Sequence, residues 1–164
     1  MHMTIYDIIN YLKEHSSLVF KYKSEYYSLQ KKKSLFHSVY RLVGTDVPPQ
    51  QRKSLEDLCE QVYISDDTLL CKAINYIEIP KWDDPAWASY EAVRHNVIVY
   101  NHEIHFLYNG RYYWIAHSHN GLSHLSDDLG NTQNFNSCRD LFENARIDGN
   151  TLKDIWGKVI VDAC

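Results

Sequence analysis

Two stretches of the chain, Phe20-Lys-Tyr-Lys-Ser-Glu-Tyr-Tyr27 and Phe106-Leu-Tyr-Asn-Gly-Arg-Tyr-Tyr113, carry Phe, Tyr, Tyr and Tyr at the same four places. Each alternates apolar and polar residues on either side of a short turn, the pattern of a β-hairpin. In the second stretch the turn is Asn109-Gly110, the strongest two-residue hairpin signal, because both central positions take positive φ. Further on, residues 54–79 align without a gap on 137–162. The shared pairs are Ser54/Ser137, Asp57/Asp140, Leu58/Leu141, Glu60/Glu143, Ile64/Ile147, Thr68/Thr151, Leu69/Leu152 and Ile77/Ile160. Two colinear matches in the same order, with only a three-residue change in the spacing between them, predict a tandem duplication.

The local grammar of each copy follows from this. After the hairpin come variable polar stretches, 31–53 and 119–136, which read as loops. A short helix then opens with Ser-x-x-Asp, at Ser54/Asp57 and Ser137/Asp140, where the hydroxyl caps early amides and the acid suits the helix dipole. A second short helix is expected near Thr68 and Thr151, with Asp148-Gly149 forming the turn before it. Val159–Val161 reads as a final strand. An additional helix, Ile5–Glu14, opens with Thr4-x-x-Asp7 and sets Ile5, Ile8, Ile9 and Leu12 at helical spacing. Pro80-Lys-Trp-Asp-Asp-Pro85 breaks regular structure between the copies. The predicted fold class is α+β: two degenerate tandem repeats, each an antiparallel hairpin or sheet followed by short helices, packed as a pseudo-symmetric pair. Residues 1–80 hold the N-terminal helix and the first repeat, 81–85 link, and 86–164 form the second repeat.

Composition narrows the functional classes. The 164 residues are 45% hydrophobic, enough for a packed core, and 13 of them are tyrosine. Seventeen Lys and Arg against 21 Asp and Glu leave a net charge of −4, which argues against a dedicated nucleic-acid binder. The run Lys31-Lys32-Lys33 reads as a solvated loop, with a nucleic-acid contact as its functional alternative. The acidic pairs Asp66-Asp67, Asp83-Asp84 and Asp127-Asp128 read as solvated turns, or together as a face for a basic partner. No leader or membrane-length apolar run is evident in the sequence. Cys59, Cys71, Cys138 and Cys164 contain no Cys-x-x-Cys and predict reduced thiols in a cytoplasm. None of them sits in an activating sequence context.

The Asn109-Gly110 turn also predicts which side chains share a face. If Tyr108 pairs with Arg111, then Phe106 pairs with Tyr113, Ile104 with Ile115 and His102 with His117. The matching first-copy set is Leu18, Phe20, Tyr22, Tyr27 and Leu29, and this face is assigned to the core. The opposite face carries His105, Leu107, Tyr112 and Trp114, against Val19, Lys21, Tyr26 and Ser28 in the first copy. Leu107 and Trp114 thus stand where the first copy has Lys21 and Ser28. The patch reads either as a partner-binding surface or as a face packed on a helix or on the other repeat.

Histidine is concentrated between residues 101 and 125, with His102, His105, His117, His119 and His124. His102, His117 and His119 fall at one end of the hairpin and are candidate ligands for Zn²⁺, with Asp127 or Asp128 completing the shell. The alternative is ordinary hydrogen-bonding at the end of the sheet. No G-x-S-x-G, P-loop, H-E-x-x-H or G-x-G-x-x-G is present. The reading that follows is a small cytosolic protein-binding protein that recognises and inhibits a partner protein, such as a toxin or a defence enzyme, in the manner of an immunity protein or a phage anti-defence inhibitor. It needs no cofactor. The alternatives are a metal-dependent hydrolase using the histidines, or a small-ligand binder with a tyrosine-lined pocket between the repeats.

Overall fold

The computed structural model describes residues 4–33, 37–65, 67–80, 85–118 and 120–163. The chain is mixed α and β, with antiparallel sheets and several short helices, and it divides into two compact units, Met1–Asp84 and Pro85–Cys164. Among the described residues no helix is long and apolar enough to cross a membrane.

The first unit opens with α1 (Ile5–Glu14). The Thr4 hydroxyl accepts from the Asp7 amide while the Asp7 carboxylate accepts from the Thr4 amide, so two otherwise orphaned donors are satisfied reciprocally. A four-stranded meander follows, β1 (Ser17–Tyr22), β2 (Glu25–Lys33), β3 (Ser38–Gly44) and β4 (Gln50–Arg52), in the order β1-β2-β3-β4. Next come α2 (Leu55–Gln61), the small ribbon β5 (Tyr63–Ser65) and β6 (Thr68–Leu69), α3 (Leu70–Ala73) and a 3-10 turn Ile74–Tyr76. Ser54 caps α2 through the Asp57 amide. No side chain caps α3, and Thr68 lies in β6. The chain then returns to β1, where Lys21 and Glu78 exchange main-chain hydrogen bonds.

The second unit begins with a 3-10 turn, Pro85–Ala88, and α4 (Tyr90–Tyr100), capped by Ser89 and closed by Asn101 in the left-handed region at φ 60°. Five strands form the second sheet: β7 (Ile104–Tyr108), β8 (Arg111–His117), β9 (Ser123–Asp127), β10 (Thr132–Phe135) and, at the far end of the chain, β13 (Ile160–Ala163). Between β10 and β13 lie α5 (Cys138–Asn144), the ribbon β11 (Arg146–Ile147) and β12 (Asn150–Thr151), α6 (Leu152–Ile155) and a 3-10 turn Trp156–Lys158. The strand order is β10-β9-β8-β7-β13. Ser137 caps α5, and Thr151 forms a capping box with Asp154 on α6. Asp148-Gly149 turns the ribbon with both residues at positive φ.

The register of both hairpins follows the parity of the sequence. Phe20 pairs with Tyr27 and Leu18 with Leu29, while Phe106 pairs with Tyr113 and Ile104 with Ile115. At these matched positions the rings stack, with centroids 5.7 Å apart for Phe20 and Tyr27 and 5.4 Å apart for Phe106 and Tyr113. Each unit has its own core against this face. Ile8, Leu12, Leu55, Leu58 and Leu70 pack on the first sheet, and Val93, Val97, Leu141, Phe142, Leu152 and Trp156 on the second. The Tyr27 hydroxyl donates to the Ile64 carbonyl at 3.0 Å, which satisfies its one polar atom within the core.

Two expectations need correction. The stretches 31–53 and 119–136 are largely strands rather than loops: the former holds the end of β2, then β3 and β4, and the latter holds β9 and β10. Lys31, Lys32 and Lys33 accordingly pair with Tyr40, Val39 and Ser38 in the ladder. Helix α4 occupies a segment without a helix expectation, so an initial helix is not particular to the first unit. On the outer face of the first hairpin, Tyr26 and Ser28 are both buried.

Helix α4 generates a pH prediction. His95 is fully buried on it, and burial pushes its imidazole down to about 4 from the ordinary 6.5, because the cation is costly to remove from water. The unfolded chain takes up this proton near pH 6.5, and the folded chain only near pH 4. This contribution to stability is therefore complete above the unfolded value and is lost as pH falls from there to about 4. Asp7, Asp127, Asp140 and Asp154 are all held below the ordinary carboxylate value by their hydrogen bonds, so their losses come at lower pH. Urea unfolding across this window is expected to show a loss on the order of 3 kcal/mol. In His95→Gln the slope should flatten over the same window.

Candidate functional site

Alternation along β7 and β8 sends one set of side chains to the helices and the other to the opposite face. On that outer face His105 pairs with Trp114, Leu107 with Tyr112, and Ile160 of β13 lies beside Leu107. The four residues expected to bind a partner are thus brought together on adjacent strands. His105 is exposed, Leu107 and Trp114 are half-buried, and Tyr112 is 41% exposed. Ile160, not singled out from the sequence, is 65% exposed and extends the apolar surface on to a third strand.

Two carboxylates frame Tyr112. Its hydroxyl donates to Asp162 Oδ2 at 2.9 Å, and its amide donates to Asp128 Oδ2 at 3.3 Å. The hydrogen bond to Asp162 raises the phenol above its ordinary value, since ionising it would place two negative charges side by side. Neighbouring Asp127 is buried and holds the turn between β9 and β10. Its carboxylate accepts from the Leu129 and Asn131 amides at 3.0 and 2.9 Å and pairs with the Arg111 guanidinium. The Asn131 side chain leads the hydrogen bonds that hold this acid below the ordinary carboxylate value.

Of the three histidines expected to hold a metal, His102 and His117 lie within the described residues. His102 lies ahead of β7, outside the paired strand, and its carbonyl oxygen rather than its ring meets His117 Nε2, at 3.1 Å. Its own ring lies beside Tyr100. On its other side, His117 Nδ1 is 3.4 Å from Cys138 Sγ and 3.3 Å from Ser123 Oγ. Both ring nitrogens of His117 therefore have protein partners. His119 lies outside the described residues. Among the described residues no three His, Cys, Asp or Glu side chains form a group that could hold a metal. Asp127 and Asp128, the expected completing acids, are engaged as described above.

Cys138 was missed as a neighbour of the histidines because it lies 21 residues beyond His117 and comes from a helix rather than the hairpin. Cys59, Cys71 and Cys138 are all unbridged. Burial pushes the Cys59 thiol up to about 12, so it remains protonated inside the first core. Elsewhere in the first unit an open groove is lined by His37, Gln51, Arg52, Lys53, Asp57 and Gln61, a set of mixed charge with no convergent group.

No protein-family model matches the chain, and neither a curated protein nor a solved structure does.

The two faces of the second sheet have different sensitivities to truncation. Trp114→Ala removes a half-buried ring and is expected to cost about 1–2 kcal/mol of stability. Phe106→Ala, on the core face with no exposure, is expected to cost about 3–5 kcal/mol through the cavity it leaves. Denaturant unfolding of both variants measures the difference; equal losses would mean that Trp114 is packed as tightly as Phe106.

Proposed function

We propose that this chain is a small cytoplasmic protein-binding protein that recognises and inhibits a partner protein, in the manner of an immunity protein or a phage anti-defence inhibitor. The observation that supports this reading is the outer face of the second sheet. Leu107, Tyr112, Trp114 and Ile160 lie side by side across three adjacent strands; Tyr112 and Ile160 are exposed, and Leu107 and Trp114 are half-buried. Exposed apolar area of this kind has a solubility cost that a binding role offsets. Tyr and Trp supply contact area with few rotors to immobilise, and they dominate binding energy at the centre of interfaces. Asp128 and Asp162 beside Tyr112 add an acidic rim to a chain of net charge −4. The complementary partner presents an apolar patch framed by Lys or Arg, and the rim charges steer its approach. Inhibition on this reading is steric.

The same reading includes the duplication. The two units are proposed as degenerate copies of one ancestral unit, packed as a pseudo-symmetric pair. Support comes from the colinear residue matches and from the shared series of helix, four-stranded meander, capped helix, two-stranded ribbon and short helix. On this view Leu107 and Trp114 arose in a frame that otherwise carries Lys21 and Ser28.

Affinity capture with the intact chain, followed by binding measurements on the protein retained, tests the function. Trp114→Ala is expected to weaken that complex by about 2 kcal/mol, roughly 30-fold in Kd. Gln51→Ala, on the exposed edge strand of the first sheet, should leave it unchanged. The partner's own activity should fall in proportion to complex formed. A partner held equally well by the Trp114 variant would remove this face from the reading.

A further inference from the structure

The Cys138, His117 and Ser123 side chains lie on the helix-covered side of the second sheet, opposite Trp114. Ser123 and His117 are paired across β9 and β8, and Cys138 is the first residue of α5. The three contacts close a triangle: Nδ1 to Sγ 3.4 Å, Nδ1 to Ser Oγ 3.3 Å, and Ser Oγ to Sγ 3.3 Å.

The fourth contact sets the protonation pattern. His102 contributes a main-chain carbonyl oxygen, which can only accept, so His117 Nε2 carries the hydrogen and donates to it. In the neutral ring Nδ1 is then left with its lone pair, facing the thiol. The Cys138 thiol has two acceptors within reach of its one proton, His117 Nδ1 at 3.4 Å and Asn101 Oδ1 at 3.7 Å, and the Ser123 hydroxyl donates to the sulfur at 3.3 Å. Cys138 is half-buried, whereas Cys59 of the first unit is fully buried.

The corresponding first residue of α2 is Leu55, which is 1% exposed and part of the first unit's core. The packing role at that place is filled by an apolar residue in one unit. In the other it is filled by a thiol with a base, a hydroxyl and an orienting carbonyl around it.

We propose that Cys138 is a reactive thiol that exchanges with small-molecule disulfides, with His117 as its proton acceptor. In the exchange the thiol proton passes to His117 Nδ1 and the sulfur's electron pair attacks one sulfur of the disulfide. The S–S bond breaks, its electron pair leaves with the departing sulfur, and that sulfur takes the proton from His117. A mixed disulfide on Cys138 and one free thiol result; the Cys138 sulfur is oxidised and the departing sulfur reduced. Exchange of this kind needs a nucleophile and a proton acceptor, and both are present here.

The intact chain treated with dithiodipyridine at neutral pH tests this, with absorbance of the released thione giving rates and peptide mass mapping locating the modified residues. Cys138 is expected to react at least about tenfold faster than Cys71, the half-buried thiol of the first unit, which serves as internal reference. Cys138→Ser should abolish the fast phase. His117→Ala, shown folded by an unchanged melting temperature, should slow Cys138 to about the rate of Cys71. Where that variant does not fold, His117→Gln and the Cys138-to-Cys71 ratio in the unmodified chain still decide the matter. Reaction of Cys138 at the rate of Cys71, or a folded His117 variant reacting as fast as the parent, would overturn the proposal.

Discussion

The parity of the strands flanking Asn109-Gly110 constrains almost everything else in the second unit. Both turn residues have positive φ, 49° and 74°, which matches the right-handed twist of the flanking strands and leaves little freedom to slip. A shift of one residue would send Phe106, Tyr113 and Ile115 to the outer face and bring His105, Tyr112 and Trp114 beneath the helices. The stacked Phe106 and Tyr113 rings, with Trp156 against Phe106, make such a shift costly. The first unit obeys the same constraint with a weaker turn. There Lys23 takes φ 56°, a conformation less favourable for a lysine than for Asn or Gly, and the stacked Phe20 and Tyr27 rings carry more of the burden of fixing the register.

What was legible in the sequence is what is decided locally. Hairpin register follows from a two-residue turn and an alternating pattern, and the helix starts at Thr4, Ser54, Ser137 and Thr151 follow from side chains that reach their own amides three residues on. Of the four strands that read as loops, β3 carries Val39, Leu42 and Val43 and so bears a strand signal of its own, while the other three take their pairing from neighbours. β4 is Gln-Gln-Arg and β10 is Thr-Gln-Asn-Phe; both are sheet edges, where polar side chains guard an unpaired backbone, so hydrophobic alternation is absent from them. β9 places Leu125 in the core, but its other core-face residues are Ser123 and Asp127. Helix α4 was obscured by Val93, Val97, Ile98 and Val99, whose β-branched side chains favour strands; the burial of Ala92, Val93 and Val97 decides the matter through packing. Its end did carry a signal, because Asn tolerates the left-handed closing position that Asn101 occupies.

The candidate sites divide along the same line. Residues on the outer face share two strands of one hairpin, so their proximity is fixed by counting, and Ile160 was missed only because β13 joins the sheet from the end of the chain. The expected metal ligands are a different case, since His119 lies outside the described residues and only His102 and His117 are placed. Counting brought His102 opposite His117, but pairing begins at Ile104, and the contact ahead of it is made by a carbonyl group. Main-chain atoms have no signature in a sequence, and neither does the approach of a helix start to a strand end.

The tautomer of His117 shows how far such an unseen main-chain contact reaches. With a carboxylate or hydroxyl behind Nε2, the imidazole would have a choice of proton position or an incentive to carry two. A peptide carbonyl offers only acceptance and no formal charge, so it fixes the neutral ring's hydrogen without supplying an anion to stabilise the cation. The outcome is a base aimed at Cys138 by geometry alone, at a position where the other unit keeps a buried leucine. The frame that fixes Trp114 on one side of the sheet thereby fixes His117 on the other, since the two are three residues apart on β8 and opposite in parity. One register specifies an apolar outer face and, on the opposite side of the sheet, a thiol–imidazole pair.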